Sequence, residues 1–331
     1  MSRWENLTSG GVWPLLGIVV LVILVVALVI LFFPVPTRGL GARPNPSPDY
    51  ADAVARFDRL AAAEALVANP AIRSLLLTRD GPTRRVYIFV HGITNSPRQF
   101  EELGRLLHAR GHNVLIPMLP RHGRRSMRLR ELRGLRAEEF RDYADAAVDM
   151  AAGLGQEIVA IGISGGASVV GWMAQNRAET HTGLLLAPFV GVPRVAPIVG
   201  TIMMNAYSRV PSVNLEDPLE PRRDWVYRGQ TTRALAETLR LGRAILRQAR
   251  HAAPLARRII ILTTARETQV SNAAAAQLAA LWRARGGNVE EPQFAAELAI
   301  PHNAIDPAAD PAKKAIVYAR MLELLGEEIA R

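Results

Sequence analysis

Cysteine is absent from the 331 residues, and aromatic residues make up only 6% of them. The first absence excludes disulfides and cysteine-ligated metal sites, although it says little about the compartment, because secreted proteins need not contain disulfides. The second leaves no visible platform on which nucleic-acid bases could stack. The formal charge is +10, but the arginines are scattered among alanine and leucine and form no single basic run. We therefore interpret them as solvated helix faces and expect no nucleic-acid partner.

Charge is also absent from one long stretch near the N-terminus. The stretch Val12–Phe33 has 22 residues, none of them charged, and a helix of that length, rising about 1.5 Å per residue, crosses the ~30 Å hydrocarbon core of a bilayer. A cleaved signal peptide is the alternative, but its apolar core would be shorter and would follow a clearly positive segment. Here Arg3 and Glu5 nearly cancel, and Pro34 follows directly. We predict a retained single-pass anchor in the lipid bilayer.

The side of the membrane on which the rest of the chain lies is only weakly constrained. Arg38 and Arg43 after the span, against Arg3 before it, slightly favour a cytoplasmic domain. A very short tail before a single span is instead the usual form of a signal anchor whose domain is exported. We favour the exported, extracytoplasmic form.

Downstream of the anchor, short apolar runs alternate with segments of helical periodicity. This alternation indicates an α/β fold with a mostly parallel sheet covered by helices on both faces, and reactive groups in such sheets lie at the carboxyl ends of the strands. The turn chemistry of residues 79–81 also predicts an antiparallel hairpin between Ser74–Thr78 and Arg85–Val90. A weak strand is expected at Phe294–Leu298 and a last helix at Pro311–Ile329.

These patterns divide the chain into six segments. A Pro- and Gly-rich stretch indicates a linker after the span, and the strand–helix rhythm is broken once, by a segment that we interpret as a cap over the active site. The predicted segments are an N-terminal tail (1–11), a transmembrane helix (12–33), a linker with a juxtamembrane helix (34–71), the first part of the core (72–189), the cap insertion (190–254) and the second part of the core (255–331).

The segment Gly162–Gly166 fits the pattern G-x-S-x-G, with Ser164 at its centre. A buried strand is predicted before it and a helix after it, which is the context that a nucleophile elbow requires. Gly162 and Gly166 are small, so the backbone can pass closely through a tight turn. A phosphate-binding turn is the alternative, but the segment lacks both the G-x-G-x-x-G spacing and the lysine of a P-loop. We therefore predict Ser164 as a nucleophile.

A serine hydroxyl is a weak nucleophile without a base, and His302 is the best-placed of the seven histidines. It lies between the weak strand and the last helix, so the order serine, acid, histidine is that of the nucleophile-elbow hydrolases. The acid should follow the strand Arg258–Leu262, and the loop there contains a single carboxylate, Glu267. Asp306 is the second choice, although its position four residues after the histidine is more typical of a structural role.

Two backbone N–H groups should stabilise the oxyanion. We assign one to Gly165, the residue after the nucleophile, and the other to Ile93 in the loop that follows the strand Arg85–Val90. Gly92 permits the backbone geometry that this loop needs, and we interpret His91 as a structural hydrogen-bonding residue. The chemistry requires no metal and no cofactor.

Three segments together resemble the α/β-hydrolase superfamily. They read "VYIFVHGITNSPRQFEELGRLLHARGHNVLIPMLPRHG", "AIGISGGAS" and "IPHN", and the resemblance covers residue 72 to the end. More narrowly, the chain is similar to bacterial carboxylesterases and monoacylglycerol-lipase-like enzymes. This resemblance implies Ser164 as nucleophile, His302 as general base, an acid at Glu267, and Ile93 and Gly165 as oxyanion donors. Glutamate in place of the usual aspartate is a departure from the family pattern.

The leading hypothesis is a membrane-anchored serine hydrolase that cleaves carboxylic esters through an acyl-enzyme on Ser164. The apolar start of the cap suggests a lipid acyl chain arriving from the bilayer, and packing of the cap on the domain explains it equally well. A peptidase that acts on N-terminal peptides is the alternative, and Glu216, Asp217 or Glu220 would hold the substrate amine. A non-catalytic, membrane-tethered binding protein on the same fold is a third hypothesis, against which the intact serine, histidine and His-Gly loop argue.

Overall fold

The structure, a computed structural model, describes residues 12–327, so the predicted tail (1–11) and residues 328–331 at the end of the predicted last helix lie outside the described residues. Within these bounds a sheet of eight strands lies between two layers of helices. The helices are α1 (Val12–Phe32), α2 (Tyr50–Val67), α3 (Arg98–Ala109), α4 (Ala137–Leu154), α5 (Gly165–Asn176), α6 (Pro197–Tyr207), α7 (Thr232–Ala249), α8 (Asn272–Arg283) and α9 (Pro311–Leu325). The strands are β1 (Leu75–Leu77), β2 (Thr83–Val90), β3 (Asn113–Ile116), β4 (Gly155–Ile163), β5 (Thr180–Leu186), β6 (Asn214–Glu216), β7 (Gly229–Thr231), β8 (Arg258–Thr264), β9 (Val289–Glu290) and β10 (Gln293–Phe294).

The main sheet has the order β1-β3-β2-β4-β5-β8-β10, with β9 also paired to β8, and every pair except β1 with β3 is parallel. Successive side chains of β2 enter opposite cores, because residues alternate between the two faces of a strand. Val86 and Ile88 pack with α4 and α5, whereas Tyr87 and Phe89 pack with α3 and α9. The predicted fold class, a mostly parallel sheet covered on both faces, is confirmed.

The predicted hairpin is wrong, because β1 pairs antiparallel with β3 and not with β2. Its register places Leu75 opposite Ile116. The side chain of Asn113, the first residue of β3, binds the segment that connects β1 to β2. Its Oδ1 accepts from Arg79 N at 2.7 Å, and its Nδ2 donates to Gly81 O at 2.8 Å. Residues 79–81 therefore cross the end of β3, which lies between β1 and β2, and do not form the tight turn of a hairpin.

Two other expected elements are shorter than predicted. The strand expected at Phe294–Leu298 is limited to β10, and Ala296–Leu298 forms a 3₁₀ turn. The last helix ends at Leu325, because Gly326 takes a left-handed conformation at φ +67° and the N–H groups of residues 326 and 327 bond to carbonyls of the last turn.

The segment between α1 and α2, residues 34–48, is held against the domain by two carboxylates of α4. Arg43 N donates to Asp145 Oδ2 at 2.8 Å, and Asn45 N donates to Asp149 Oδ2 at 3.1 Å. The other oxygens of the same carboxylates bind the buried guanidinium of Arg177 at 2.7 and 2.5 Å. A buried charged cluster thus fixes where the chain enters the domain.

Helix α1 is the one helix of residues 12–327 that is long and apolar enough to cross a membrane, with a mean hydropathy of 3.7 over its span and none of that span buried. A signal sequence near the N-terminus would meet the same description. The end of α1 contacts α6, the first helix of the predicted cap segment.

The predicted cap segment, 190–254, has two parts in the structure. Helix α6 and the two-stranded sheet of β6 and β7 lie outside the main sheet. Helix α7 is buried along most of its length and packs on α5, so it belongs to the helical layer that covers the sheet.

Candidate active site

The turn between β4 and α5 holds Ser164 in a strained backbone conformation, with φ +56° and ψ −121°. Few residues other than glycine adopt a positive φ, and such strain persists only where the surroundings enforce it. Here Ser164 N donates to Leu186 O at 2.9 Å, and Ser164 O accepts from Phe189 N at 3.1 Å. Both neighbours lie at or just beyond the end of β5, so the adjacent strand holds the serine at the carboxyl edge of the sheet.

Three glycines surround Ser164 because neighbouring atoms pass too closely for a side chain. A Cβ atom on Gly166 would lie 2.2 Å from Val90 O and 2.4 Å from His91 O, and one on Gly162 would lie 2.5 Å from Gly166 O. Gly166 is therefore required by close packing between this turn and the end of β2, and Gly162 is required by the tightness of the turn itself.

The residues predicted to donate the oxyanion N–H groups are neighbours in space. A Cβ atom on Gly165 would lie 2.3 Å from Ile93 Cγ1, and both residues line the same cavity as Ser164. Gly92 N donates to Gln99 Oε1 at 2.8 Å, which holds the loop that carries Ile93. Within residues 12–327, no hydrogen bond uses the N–H of Ile93 or of Gly165.

His302 is hydrogen-bonded to Glu267, and both side chains are nearly inaccessible to solvent. His302 Nδ1 donates to Glu267 Oε2 at 2.9 Å, which leaves Nε2 as the acceptor nitrogen of the ring. The other oxygen, Oε1, accepts from the N–H groups of Thr268 and Gln269 at 2.8 and 2.7 Å. Burial raises the pKa of Glu267, but the hydrogen bonds from His302 and from these two N–H groups outweigh it, and the pKa lies below its ordinary value. The carboxylate is therefore ionised and fixed in position.

Ser164 and His302 line one small cavity of about 90 Å³, without a hydrogen bond between them among the described residues. Hydrogen bonds of this kind are often long in the absence of substrate and tighten when it binds. No Asp or Glu side chain among the described residues lines this cavity. The described residues also contain no group of three or more His, Asp or Glu side chains that could hold a metal ion.

His91 is fully buried beneath the oxyanion loop and makes two backbone hydrogen bonds. Its Nε2 accepts from Leu119 N at 3.1 Å, so Nδ1 must carry the proton that it donates to Gly92 O at 2.9 Å. Burial and the nearby His122 lower its pKa to about 3. His122 Nε2 lies 2.6 Å from Ile93 O, so two neutral imidazoles hold the loop from below.

Asp306, the second choice for the acid, lies away from the imidazole. Its Oδ2 accepts from Asn95 Nδ2 at 2.7 Å and its Oδ1 from Ala308 N at 2.9 Å. It therefore holds the Ile93 loop and not the histidine.

Several residues of the cavity were not anticipated from the sequence. They include Gln99, Phe189, Gln230, Thr238 and Gln269. A buried glutamine in the first turn of a helix is a weak signal that could have indicated Gln99. The others come from four different parts of the chain, and no local pattern connects them.

The comparisons with known proteins agree with the fold described above. A family model described as the alpha/beta hydrolase family matches residues 87–305. No curated protein sequence matches the chain.

One similar solved structure belongs to LipS and LipT, two metagenome-derived lipolytic enzymes, with 16% identity and a TM-score of 0.58 over 78% of this chain and 99% of that one. Another is a monoacylglycerol lipase of Paleococcus ferrophilus, with 14% identity and a TM-score of 0.58 over 77% of this chain and 98% of that one. A third is a soluble variant of monoglyceride lipase from Saccharomyces cerevisiae, with 12% identity and a TM-score of 0.54 over 76% of this chain and 90% of that one.

Replacing Gly166 by alanine should destabilise the domain, because the new methyl group would meet two backbone carbonyls that cannot move independently of β2. We expect a loss of at least about 1–3 kcal/mol in the free energy of unfolding. The matched control is Gly41→Ala, since nothing lies within 4 Å of the added methyl group. Urea unfolding of both variants in a neutral detergent measures the difference, and equal stabilities would contradict the packing described for the turn.

The neutral His91 should make the protein less stable as the pH falls. Its pKa is about 3 in the folded chain against 6.5 for the free group, so the unfolded chain binds an extra proton between these values. The free energy of unfolding should fall through this window by up to roughly 1.4 kcal/mol per pH unit. His91→Gln, which cannot titrate, should show a shallower decline in urea unfolding below about pH 6.5. The exposed His251→Gln should keep the wild-type slope, and an unchanged slope in His91→Gln would refute the assignment.

Proposed function

Because the chain belongs to the alpha/beta hydrolase family, we propose that it is a membrane-anchored serine hydrolase that cleaves carboxylic esters through an acyl-enzyme on Ser164. The arrangement around one cavity carries this proposal. A serine in a strained turn, a histidine hydrogen-bonded to a buried carboxylate, and two N–H groups that have no acceptor among residues 12–327 line or adjoin the same space. These are the parts that acyl transfer requires.

In the proposed reaction, His302 Nε2 accepts the proton of the Ser164 hydroxyl as Oγ attacks the acyl carbonyl carbon. The N–H groups of Ile93 and Gly165 would stabilise the negative charge that develops on the carbonyl oxygen. His302 then gives the proton to the departing alkoxide, and the acyl group remains on Ser164. A water molecule, deprotonated by His302, attacks this ester, releases the carboxylic acid and restores the serine. Glu267 holds the imidazole in the required tautomer and stabilises its charged form.

The electrostatics of the cavity favour an ester over a peptide with a free amino terminus. A peptidase of that kind needs a carboxylate near the serine to hold the amine, and no Asp or Glu of the described residues lines this cavity. Glu220 is paired with Arg223 at 3.0 Å, Asp217 accepts from Leu219 N, and Glu216 lines a different cavity. All three acids that the peptidase hypothesis invokes are therefore engaged or lie elsewhere.

A lipid ester is the substrate class that we favour, on two grounds. Helix α1 has the length and hydropathy of a membrane span and ends against α6, next to the domain. Similar solved structures include two that are named as lipases of monoacylglycerols or monoglycerides. An enzyme held at the bilayer surface would meet such esters directly.

Ser164→Ala should abolish both covalent labelling by a fluorophosphonate and hydrolysis of p-nitrophenyl esters by the full chain. Short and long acyl esters should both be cleaved by the wild type, and the labelled protein should stay in the membrane fraction after carbonate extraction. Ser168→Ala, four residues later in α5, is the control that keeps the labelling. Equal labelling of wild type and Ser164→Ala would rule out this nucleophile, and activity on aminoacyl anilides alone would favour the peptidase.

Glu267→Gln should lower kcat/KM for esters by about 10³–10⁴-fold, because a neutral amide neither stabilises the charged imidazole nor selects its tautomer. The matched control is Asp306→Asn, whose amide oxygen can still accept from Asn95. We expect a change of less than about tenfold there, which corresponds to about 1.4 kcal/mol. A larger loss in Asp306→Asn than in Glu267→Gln would transfer the role of the acid to Asp306.

A further inference from the structure

A second, larger cavity lies beside the catalytic one and has no part in the chemistry described above. Its volume is about 860 Å³, and it lies between α6, α7 and the residues that follow α1. We call it the α7 groove. Its wall is largely apolar and includes Val35, Val190, Met204 and Leu239. Val190 and Leu239 directly follow Phe189 and Thr238, which line the Ser164 cavity, so the two cavities share a wall.

Three arginines stand along the α7 groove. Arg243 and Arg247 lie on successive turns of α7 and Arg250 directly follows its last residue, Ala249, and residues three or four apart share one face of a helix. Among the described residues neither Asp nor Glu lines the groove, and none of the three arginines forms an ion pair. Arg243 and Arg247 reach only hydroxyl groups, those of Thr201 at 3.4 Å and Thr37 at 3.5 Å.

The preceding arginine of α7 differs from these three. Arg240, one turn earlier on the same helix, is bonded to the carboxylates of Glu138 and Glu237. Guanidinium groups bind phosphate oxygens with strong, charge-assisted hydrogen bonds when no carboxylate competes. An apolar wall beside a row of unpaired arginines therefore fits an amphiphile with an anionic head.

The position of the groove indicates where this amphiphile comes from. Carbonyls at the end of α1 accept hydrogen bonds from α6 and from the chain that follows it. Asn205 Nδ2 of α6 donates to Leu31 O at 2.8 Å. Arg209, two residues after α6, donates to Ile30 O at 3.0 Å and to Phe33 O, just after α1, at 2.8 Å. Pro34 and Val35, the next residues, already line the groove. If α1 spans the bilayer, the groove begins at the point where the chain leaves it, at the level of the lipid headgroups.

We infer that the α7 groove binds an anionic membrane phospholipid, with an acyl chain against the apolar wall and the phosphate on Arg243, Arg247 and Arg250. The inference rests on the membrane anchoring proposed for α1 and does not depend on the chemistry of Ser164. The head would bind through charge, whereas the chain would bind through the burial of apolar surface.

The test is native mass spectrometry of the full-length protein, released from a neutral detergent after incubation with phosphatidylglycerol or phosphatidylcholine. We expect phosphatidylglycerol to be retained at least about tenfold better, because its head carries a net negative charge, whereas the choline cation of phosphatidylcholine offsets the charge of its phosphate. The double variant R243Q/R247Q should retain it only as well as phosphatidylcholine. R243K/R247K, which keeps both charges, should retain most of the binding.

Two further variants separate the groove from general effects of charge and folding. R84Q/R105Q removes the same charge from arginines outside the groove and should bind like the wild type. Ala273→Glu places a carboxylate at an exposed position that lines the groove and should weaken binding without altering any arginine.

Equal retention of the two lipids by the wild type, or undiminished phosphatidylglycerol on both R243Q/R247Q and Ala273→Glu, would overturn the inference. Displacement of the lipid by inorganic phosphate at the lipid's own concentration would also overturn it, because the acyl chain would then contribute nothing and the groove would be a site for a free anion. Fluorophosphonate labelling of the same samples reports on Ser164 independently. A wild type that binds the lipid but does not label would therefore count against the proposed hydrolase and leave the groove intact.

Discussion

The close approach of two backbone segments at the carboxyl edge of the sheet is the constraint on which the candidate site depends. The turn after β4 passes so near the end of β2 that a methyl group on Gly166 would overlap the carbonyl oxygens of Val90 and His91. This approach follows from the parallel pairing of β2 with β4, in which Val90 lies opposite Gly162. It brings Ile93 against Gly165 and leaves Ser164 in a conformation that it would not adopt alone. The serine and both proposed oxyanion donors are thus positioned by one contact.

The histidine and the acid are positioned by a different means. Glu267 is held by the N–H groups of its own loop as well as by His302, so its orientation is set locally before the imidazole is considered. The sequence order and the single carboxylate after β8 were sufficient to nominate this pair. The support beneath the site was harder to foresee. The tautomer of His91 and the contact between His122 and Ile93 join segments that are almost thirty residues apart, and no local pattern encodes them.

The N-terminal helix α1 is connected to the domain by polar groups. The carbonyls at the end of α1 have no partners within their own helix, and Asn205 of α6 and Arg209, two residues after α6, supply them. Further along, carboxylates of α4 and the buried Arg177 hold the segment before α2. Composition alone suggested a linker in this region. The structure shows a segment that is fixed in place, so the end of α1, the α7 groove and the catalytic cavity have a defined arrangement.

The sequence by itself determined the short apolar strands, the helices between them and the uncharged N-terminal run, and it nominated Ser164, His302 and Glu267 as candidates, because each depends on local spacing or on order along the chain. Only the tertiary structure decided the partner of β1. The turn chemistry at 79–81 favoured a hairpin, but the side chain of Asn113 holds that segment across β3. Tertiary packing likewise placed α7 in the core layer and brought beside an apolar wall three arginines that form no ion pair within the described part of the chain. Pairing between distant segments is set by which surfaces can be buried together, and this information is not contained in any one stretch of the chain.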